Sequence, residues 1–297
     1  MSFKPLVSII VNCYNGSKYL EEALRSLKNQ TYDNFEVIFW DNQSTDDSKK
    51  IFDKNFDKRF KYYYASEHTT LYEARNMAIN KCKGDFISFL DTDDLWEYNK
   101  LEMQVPLFFN PEIAVVYSNF WLMKNSKKNM KIFSKKKLHN GYIYEKLINY
   151  YNVGILTTII RKKVFESLSK KFDKRFSIIG DFDLILRLAK KHKFSSIDKP
   201  LAYYRLHTQN FSLTNKNKKF QETELWINEN EDEMTEKMLS KIKNKLNYEK
   251  FMNSKINKDL KNCYLLIKNM KLDINLVKSI FIFFTPVFLI KKIFWFD

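Results

Sequence analysis

Three carboxylates crowd one turn of this 297-residue chain. Asp91, Asp93 and Asp94 come directly after residues 86–90, an apolar run that predicts a buried strand. Unpaired carboxylates so close together repel one another and are costly to desolvate, so this spacing indicates a hard divalent cation with oxygen ligands, commonly shared with phosphate. The sequence therefore predicts a substrate that carries a diphosphate. The alternative is structural, with Asp94 capping a helix that begins near Trp96.

Two other polar motifs also follow apolar runs. CYNG at residues 13–16 ends the first run, and DNQS at residues 41–44 ends the second. Strands and helices alternate through this part of the chain, as is typical of parallel βαβ units in an α/β sheet, where ligands bind at the carboxyl ends of the strands. We therefore expect the three motifs to line one crevice. The predicted strands are residues 6–13, 35–41, 60–64 and 85–90, and the predicted helices are residues 18–30, 46–56 and 70–81.

Beyond residue 112 the pattern becomes irregular, and this half is expected to build the acceptor side. It contains predicted strands at residues 113–120, 157–161 and around 202–206, and a predicted helix at 182–191. A basic segment lies between them and is interpreted as a solvated loop, or alternatively as a contact for a phosphorylated acceptor or an acidic membrane. Its lysines are Lys124, Lys127, Lys128, Lys131, Lys135, Lys136 and Lys137.

The formal net charge of +16 predicts an anionic partner, such as nucleic acid, an acidic lipid surface or a phosphorylated substrate. Cys13, Cys82 and Cys263 match neither a metal-ligand spacing nor a disulfide framework, so we expect ordinary semi-buried thiols in a reducing cytoplasm. The apolar run at residues 6–11 is short and ends at Asn12, which favours a strand over a signal peptide. The catalytic part is therefore expected in the cytoplasm.

From about Asn215 the chain is predicted to be a helical extension (213–297) that follows a catalytic domain (1–212). We expect its apolar stripe to pack on the catalytic domain. The stripe comprises Met238, Ile242, Leu246, Ile256, Leu260, Tyr264 and Ile267.

The last apolar segment, residues 279–290, is bracketed by Lys278, Lys291 and Lys292. As a helix it reaches about 18 Å, short of the roughly 30 Å hydrocarbon core of a bilayer. A segment in the membrane interface fits better, with Trp295 at the boundary and the lysines on anionic headgroups. The alternative is a C-terminal helix that covers a groove of the core.

The order of six short motifs resembles the family 2 inverting glycosyltransferases over about residues 4–212. The resemblance implies an α/β fold of the GT-A type, in which a Rossmann-like nucleotide-binding half and an acceptor half share a mixed central sheet. It also implies a nucleotide-sugar donor, with Mn²⁺ or Mg²⁺ as cofactor. The motifs are VSIIVNCYN at 7–15, DNQSTD at 41–46, ARN at 74–76, LDTDD at 90–94, GDFDL at 180–184 and YRLH at 204–207.

On the donor side, the resemblance places Cys13, Tyr14 and Asn15 near the base or ribose, where a Tyr ring can stack on a pyrimidine. Asp41 matches the acid that accepts a hydrogen bond from N3–H of uracil or thymine, so the implied donor is a UDP-sugar or dTDP-sugar. Three nearby departures from the usual pattern bear on base identity and loop shape. They are Asn12 for a common Pro, Asn42 for a frequent second acid and Gln43 for a common Gly.

The resemblance also assigns the diphosphate and metal side. Arg75 would bind a phosphate or orient the metal-binding acids, unless it merely pairs with Glu73 or another surface acid. Asp91 would meet the ribose or a metal-bound water, and Asp93 would ligate the metal, with Asp94 sharing that work.

Two residues at the end of the last predicted strand are assigned to the same region. Arg205 would close over the diphosphate, and His207 would complete the metal shell. The alternative for His207 is a loop residue that is simply hydrogen-bonded.

Asp181 matches the catalytic Asp of the family's Glu-Asp motif, although Gly180 replaces the Glu. As general base it would take the proton of an acceptor hydroxyl as that oxygen attacks the anomeric carbon, which gives inversion in one displacement. A helix N-cap is the structural alternative, and it is compatible with the catalytic role. Asp183 is expected to support acceptor binding or the fold.

We therefore expect a metal-dependent inverting glycosyltransferase, peripheral on the cytoplasmic face of the inner membrane. It would transfer a hexose or N-acetylhexosamine to a growing bacterial surface glycan or a polyprenyl-diphosphate-linked acceptor. A nucleotidyltransferase is the nearest rival, but no Gly-rich phosphate loop follows Val11 and Asp181 would have no role. The sequence is also compatible with a catalytically inactive glycan-binding protein or a nucleic-acid-binding protein, although the scattered lysines without a binding motif argue against nucleic acid.

Overall fold

The computed structural model describes residues 4–124 and 127–294, with side chains described to residue 290. The chain divides into two compact units near residue 210, and residues 148–150 belong to the second unit. The first unit is built on a mixed sheet of nine strands within these residues. The strands are β1 Val7–Cys13, β2 Phe35–Asp41, β3 Phe60–Tyr64, β4 Phe86–Phe89, β5 Leu95–Trp96, β6 Ile113–Lys124, β7 Met130–Ile132, β8 Ile159–Arg161 and β9 Lys193–Leu206.

Helices connect most of these strands and continue through the second unit. Short 3₁₀ turns at Val105–Phe109, Ile155–Thr157 and Glu231–Glu233 complete the regular structure of the described residues. The helices are α1 Ser17–Lys28, α2 Ser48–Lys54, α3 Leu71–Ile79, α4 Lys100–Gln104, α5 Tyr144–Asn149, α6 Lys162–Glu166, α7 Gly180–Lys191, α8 Phe211–Thr214, α9 Lys216–Asn230, α10 Glu236–Ile256, α11 Leu260–Lys268, α12 Ile274–Phe283 and α13 Val287–Phe294.

The strand order is β3-β2-β1-β4-β8-β6-β9-β5, with β7 paired to β6. The first four strands are parallel, as predicted, and every residue of β1, β2 and β4 is buried. Continuous apolar runs of this kind suit parallel strands that are covered on both faces. Leu24 and Leu27 of α1 and Phe52 of α2 join the same core cluster as Val37 and Phe39 of β2. This packing fixes the strand ends that carry the predicted donor motifs.

The acceptor half is where the predicted element bounds were wrong. β6 continues past residue 120 and β9 begins at Lys193, because the two strands pair in parallel along most of their length. Half-exposed polar residues fill the first part of β9, so the local sequence carries no strand signal there. The predicted helix near Trp96 is also wrong, because Leu95–Trp96 is a short strand paired with β9 and the next helix begins at Lys100. Asp94 is therefore not a helix cap.

The second unit has a core of its own, formed by the buried residues Phe251, Met252, Cys263, Met270, Ile282 and Ile290. Met238, Ile242 and Leu246 of the predicted stripe are buried, whereas Leu260 and Tyr264 are exposed, so the prediction is wrong at those two residues. All three cysteines are fully buried rather than semi-buried. Within the described part of the chain, no helix is both long enough and apolar enough to cross a membrane.

Replacing Gly84 by Ala is expected to destabilise the first unit by about 1–3 kcal/mol, the range typical of overpacking. The new Cβ would lie 2.6 Å from the carbonyl oxygen of Leu6 and 2.7 Å from the amide nitrogen of Ser8, so the backbone entering β1 would have to shift. Thermal unfolding measures the loss. Gly141→Ala gives the cost of backbone strain alone for comparison, because its Cβ meets nothing within 4 Å and only the φ of +81° opposes it, at about 1–2 kcal/mol. Equal melting temperatures for Gly84→Ala and the wild type would contradict this packing.

Candidate active site

The ends of β1, β2 and β4 meet at one edge of the sheet. Cys13 at the end of β1 is the register partner of Asp41 at the end of β2, and β4 pairs with the other side of β1. The loop after β1 also touches the acidic turn, because a Cβ at Gly16 would lie 2.7 Å from Oγ1 of Thr92. The three predicted motifs therefore share one crevice, and every predicted site residue lies in the first unit.

Asp41 is buried, and both of its carboxylate oxygens accept hydrogen bonds. Oδ1 accepts the backbone N–H of Ser44 at 2.7 Å, and Oδ2 accepts the hydroxyl of Tyr62 at 2.6 Å. Tyr14 is exposed, and the centroid of its ring lies 4.2 Å from that of His68. Asp41 is thus held rigidly at the strand end, and the exposed Tyr14 ring packs against the His68 imidazole at an interplanar angle of 45°.

Asn15 and Gln43 have φ values of 52° and 69°, the left-handed region that Asn tolerates better than most residues. Oδ1 of Asn15 accepts the N–H of Thr45 at 2.8 Å, and its own N–H donates to Oγ of Ser44 at 3.0 Å. Cys13 is buried, with Sγ 3.6 Å from the same Oγ. These hydrogen bonds join the loops after β1 and β2 and hold them rigidly against each other.

The departure at Asn42 has a physical explanation. Its amide donates to the carbonyl oxygen of Thr69 at 2.7 Å, and its Oδ1 accepts the N–H of Thr69 at 3.2 Å. The backbone oxygen of Asn42 lies 2.9 Å from Nδ1 of His68. An acid could not donate to a carbonyl, so Asn at this position joins the second strand end to the segment that precedes α3.

Each acid of the DTDD turn has a different environment. The side chain of Asp91 is 34% exposed and pairs with Arg75 at 2.5 Å, and that of Asp93 is 29% exposed and lies 2.9 Å from Nε2 of His207. Asp94 is only 2% exposed, and its Oδ1 accepts the N–H of Arg205 at 2.9 Å. Burial, followed by the charges of Asp93 and Asp91, raises the pKa of Asp94 well above its usual range. Asp94 therefore stabilises the end of β9. Its burial argues against the predicted share in metal binding.

Arg205 is buried, and two of its guanidinium nitrogens donate hydrogen bonds within the protein. Nε donates to the carbonyl oxygen of Asp93 at 2.8 Å, a terminal nitrogen donates to Glu22 at 3.0 Å, and the guanidinium carbon lies 4.4 Å from the centroid of the Tyr19 ring. This geometry favours a role for Arg205 in positioning the acidic turn, rather than the predicted contact with the diphosphate.

Arg75 is also buried, inside a cage of three aromatic rings. Its guanidinium carbon lies 5.6 Å from the ring centroids of Tyr72, Phe89 and Phe172. The only described ion pair of this guanidinium is with Asp91, so the alternative pairing with Glu73 is wrong. Of its two predicted roles, the geometry favours orienting an acid of the metal side over binding a phosphate.

The acidic turn offers a partial set of metal ligands. Within the described residues, no three His, Cys, Asp or Glu side chains converge to form a complete metal site. Asp91 and Asp93 present carboxylate oxygens, and His207 and Asn210 lie 2.9 Å and 3.4 Å from Oδ2 of Asp93. Oxygen ligands of this kind fit Mg²⁺ or Mn²⁺, which take their remaining ligands from substrate phosphates and water.

Asp181 lies in the first turn of α7, which begins at Gly180 after an N-cap at Ile179, so the N-cap alternative is wrong. Its Oδ1 accepts the N–H of Phe182 at 2.8 Å and lies 3.3 Å from the hydroxyl of Tyr72, whose single proton is shared between this oxygen and the nearer carbonyl oxygen of Ile178. Burial raises the pKa of Asp181, and the charge of Arg75 opposes that rise. A carboxylate with a raised pKa is a stronger proton acceptor, as a general base requires.

The Gly at position 180 is explained by Tyr72. A Cβ there would lie 2.6 to 2.8 Å from three carbons of the Tyr72 ring, so the ring occupies the space that a Glu side chain would enter. The hydroxyl of the same tyrosine donates to the carbonyl oxygen of Ile178 at 2.8 Å. Asp183, by contrast, is buried in an ion pair with Arg187 at 2.7 Å, which places it in the fold.

The comparison with protein families decides the class of this site. The family described as Glycosyl transferase family 2 matches residues 8–168. The chain belongs to this glycosyltransferase family.

Two similar bacterial proteins have named activities or pathways. The UDP-Glc:alpha-D-GlcNAc-diphosphoundecaprenol beta-1,3-glucosyltransferase WfgD of Escherichia coli is 30% identical over 193 residues, which are 65% of this glycosyltransferase and 73% of WfgD. The putative teichuronic acid biosynthesis glycosyltransferase TuaG of Bacillus subtilis is 29% identical over 164 residues, which are 54% of this chain and 64% of TuaG.

Solved structures show that the fold is shared. TarS 1-349 of S. aureus in complex with UDP has a TM-score of 0.59 at 20% identity, over 80% of this chain and 69% of that one. The mannosyltransferase PcManGT of Pyrobaculum calidifontis, in complex with GDP-Man and Mn²⁺, has a TM-score of 0.54 at 12% identity, over 96% of this chain and 72% of that one. This glycosyltransferase spans 43% of a longer TarS structure. The predicted GT-A fold is confirmed.

The family match and the geometry cover different parts of the glycosyltransferase. Residues 8–168 include the motifs that end β1, β2 and β4, whereas Asp181, Arg205 and His207 lie beyond the matched range. Their roles stay predictions that rest on position and contacts. Sequence reasoning missed Tyr72 and His68 altogether, because nothing local marks them and only the fold brings them to Asp181 and Tyr14.

Arg75→Gln is expected to move the acid limb of the pH–rate profile to higher pH. Asp181 must be ionised to accept a proton, so activity falls as the pH drops through its pKa. The charge of Arg75 lowers that pKa, and its loss raises the pKa further. The profile of kcat/KM against pH measures the shift.

Arg75→Lys keeps the charge and should leave the limb nearer the wild-type position. Arg187→Gln removes a guanidinium from the same helix as the base but away from it, and should leave the limb unchanged. An acid limb that stays in place in Arg75→Gln argues against Asp181 as the titrating base.

Proposed function

We propose that this glycosyltransferase is a metal-dependent inverting enzyme with Asp181 as its general base. One observation carries the proposal. Arg75 pairs with Asp91 after β4, and its charge also acts on Asp181 in α7, so the acids of both sides share one buried cation. Direct displacement needs such proximity, because the acceptor hydroxyl and the leaving diphosphate must both reach the anomeric carbon.

In the proposed reaction, Asp181 takes the proton of the acceptor hydroxyl while that oxygen attacks the anomeric carbon. The bond from this carbon to the diphosphate breaks on the opposite face, and the anomeric configuration inverts. Both described hydrogen bonds to the carboxylate go to Oδ1, so Oδ2 is the oxygen that accepts the proton. Tyr72 and the N–H of Phe182 hold the carboxylate in orientation throughout.

Asp91 and Asp93 would hold Mn²⁺ or Mg²⁺, with His207 beside Asp93. Their exposure supports this, because both can reach a ligand in the crevice while Asp94 cannot. The ion, when bound, neutralises the charge that develops on the departing diphosphate. Arg75 fixes the orientation of Asp91, and Arg205 fixes the backbone of the turn through the carbonyl oxygen of Asp93.

The proposed donor is a UDP-sugar that carries a hexose or N-acetylhexosamine. Tyr14 offers a ring face for the base, with Cys13 and Asn15 shaping the loop around it. The carboxylate of Asp41 can accept one further hydrogen bond from a pyrimidine N3–H. The names of similar proteins agree with a uridine donor, since WfgD uses UDP-Glc and TarS was solved with UDP.

The proposed acceptor is a growing bacterial surface glycan or a polyprenyl-diphosphate-linked sugar, reached at the cytoplasmic face of the inner membrane. WfgD acts on such a lipid-linked sugar, and TuaG is assigned to a cell-surface polymer. Nucleic acid is not among the proposed partners, because the lysines of the basic segment belong to no recognised nucleic-acid-binding motif. Lys127 lies 4.0 Å from the centroid of the Tyr203 ring.

Residues 1–212 are proposed to act as the catalytic domain and 213–297 as the membrane contact. α12 and α13 bury Ile282 and Ile290 in the core of the second unit and leave other apolar side chains exposed. Phe281, Phe284 and Phe288 are 75%, 79% and 69% exposed. Aromatic side chains with nearby lysines such as Lys278 suit an anionic membrane interface. The predicted contributions of Lys291, Lys292 and Trp295 lie outside the described side chains.

Asp181→Asn is expected to lower transfer by at least about a hundredfold, because general-base catalysis contributes of that order or more. Binding of the nucleotide should be retained. Asp93→Ala should instead lose metal-dependent turnover and weaken donor affinity. Mn²⁺-dependent release of UDP, GDP or dTDP from a panel of nucleotide sugars, with and without acceptor, measures both effects.

Asp183→Asn is the matched control for Asp181→Asn, because Asp183 lies two residues further along α7 and pairs with Arg187. The Asp183→Asn variant should lose folding stability rather than turnover. Full transfer activity in Asp181→Asn would rule out Asp181 as the general base. Metal-independent turnover by the wild type would rule out the proposed metal dependence.

Replacing Phe281, Phe284 and Phe288 together by Ser is expected to weaken binding to phosphatidylglycerol-containing vesicles at least about tenfold, because partial burial of three aromatic rings exceeds 1.4 kcal/mol. Vesicle co-sedimentation of the full chain measures this. The control variant carries Ser at Phe56 and Phe109, two exposed aromatics of the first unit. Equal binding by the two variants, or no binding by the wild type, would contradict the membrane role.

A further inference from the structure

Two tyrosines lie near Asp181, and their hydroxyl groups differ. The hydroxyl of Tyr72 is fully used, since it donates to the carbonyl oxygen of Ile178 and contacts Asp181. The hydroxyl of Tyr151 is buried and has no hydrogen-bond partner among the described residues. A buried hydroxyl without a partner is destabilising and rare, so such a group in a native protein calls for an explanation.

The position of Tyr151 is set by the residue that follows the base. Its ring centroid lies 5.0 Å from that of Phe182, at an interplanar angle of 59°, and the N–H of Phe182 donates to Oδ1 of Asp181. Tyr151 also precedes the 3₁₀ turn Ile155–Thr157, which leads into β8 in the middle of the sheet. Packing against Phe182 thus places the ring on the side of Asp181.

The electrostatic surroundings of Tyr151 point to the same side. Burial, followed by the charges of Asp181 and Tyr72, raises the pKa of Tyr151 well above its usual range. The hydroxyl is therefore protonated at neutral pH and available as a donor.

We propose that the hydroxyl of Tyr151 donates a hydrogen bond to an oxygen of the acceptor sugar, next to the hydroxyl that Asp181 deprotonates. This inference rests on the proposed function, because it assumes that Asp181 meets the acceptor. Tyr151 is then an acceptor-positioning residue. A sugar hydroxyl or the carbonyl oxygen of an N-acetyl group is the chemical partner that a lone phenolic donor recognises.

Tyr151→Phe separates this role from a role in the fold. The variant keeps the ring and removes only the hydroxyl that lacks a partner, so its melting temperature should equal or exceed that of the wild type. Transfer from UDP-glucose to an alkyl-diphosphate-linked α-D-GlcNAc is the assay, alongside the nucleotide-sugar panel where another donor is used. The acceptor KM should rise roughly three- to tenfold, the loss expected for one hydrogen bond. Donor hydrolysis without acceptor should be unchanged.

Tyr117→Phe is the matched control. The hydroxyl of Tyr117 donates to the carbonyl oxygen of His139 at 2.9 Å and accepts its N–H at 3.0 Å, away from the base. This variant should melt at a lower temperature than the wild type and keep the wild-type acceptor KM.

The outcomes distinguish this inference from the proposed function. An active wild type with an unchanged acceptor KM in Tyr151→Phe overturns the role of Tyr151 and leaves Asp181 untouched. A clear drop in melting temperature in Tyr151→Phe also overturns it, because the hydroxyl then has a partner within the fold. A wild type that turns over no nucleotide sugar overturns the proposed function, and this inference falls with it.

Discussion

A single buried cation organises the chemistry of the first unit. Burying a guanidinium away from water is costly unless it gains an ion pair and a favourable environment. Arg75 gains both, from the carboxylate of Asp91 and from three surrounding aromatic rings. Its positive charge restrains the pKa of Asp181, which burial alone would raise further. The orientation of Asp91 and the basicity of Asp181 thus depend on one side chain of α3.

Around this centre, long-range polar contacts replace the regular hydrogen bonding that strand ends lack. Asn42 joins the loop after β2 to the segment before α3, and Asn210 joins the end of β9 to the acidic turn. Asp94 and Arg205 reinforce that second junction through hydrogen bonds between the acidic turn and β9. Because strand ends leave backbone groups without ladder partners, such side chains determine how rigid the crevice is. Few of them need to contact a substrate to matter for catalysis.

The nucleotide-binding half could be predicted well because its signals are local. The bounds of β2 and β3 follow directly from apolar runs, and the polar motifs at strand ends locate the crevice. The first part of β9 and the short β5 could not be predicted. The first part of β9 is largely polar and half-exposed, and β5 has only two residues, so pairing with distant strands stabilises both. For the same reason Tyr72 and Tyr151 were missed, since only tertiary packing brings them to Asp181.

The contact between positions 72 and 180 also constrains how this enzyme can change over evolution. One volume beside Asp181, the proposed base, is filled either by an aromatic ring from α3 or by a side chain from the start of α7, and not by both. A lineage that regains an acid at position 180 must first give up the ring of Tyr72, and with it the hydroxyl that orients Asp181. The two positions are therefore expected to covary, and the intermediate with both side chains should be rare among related sequences.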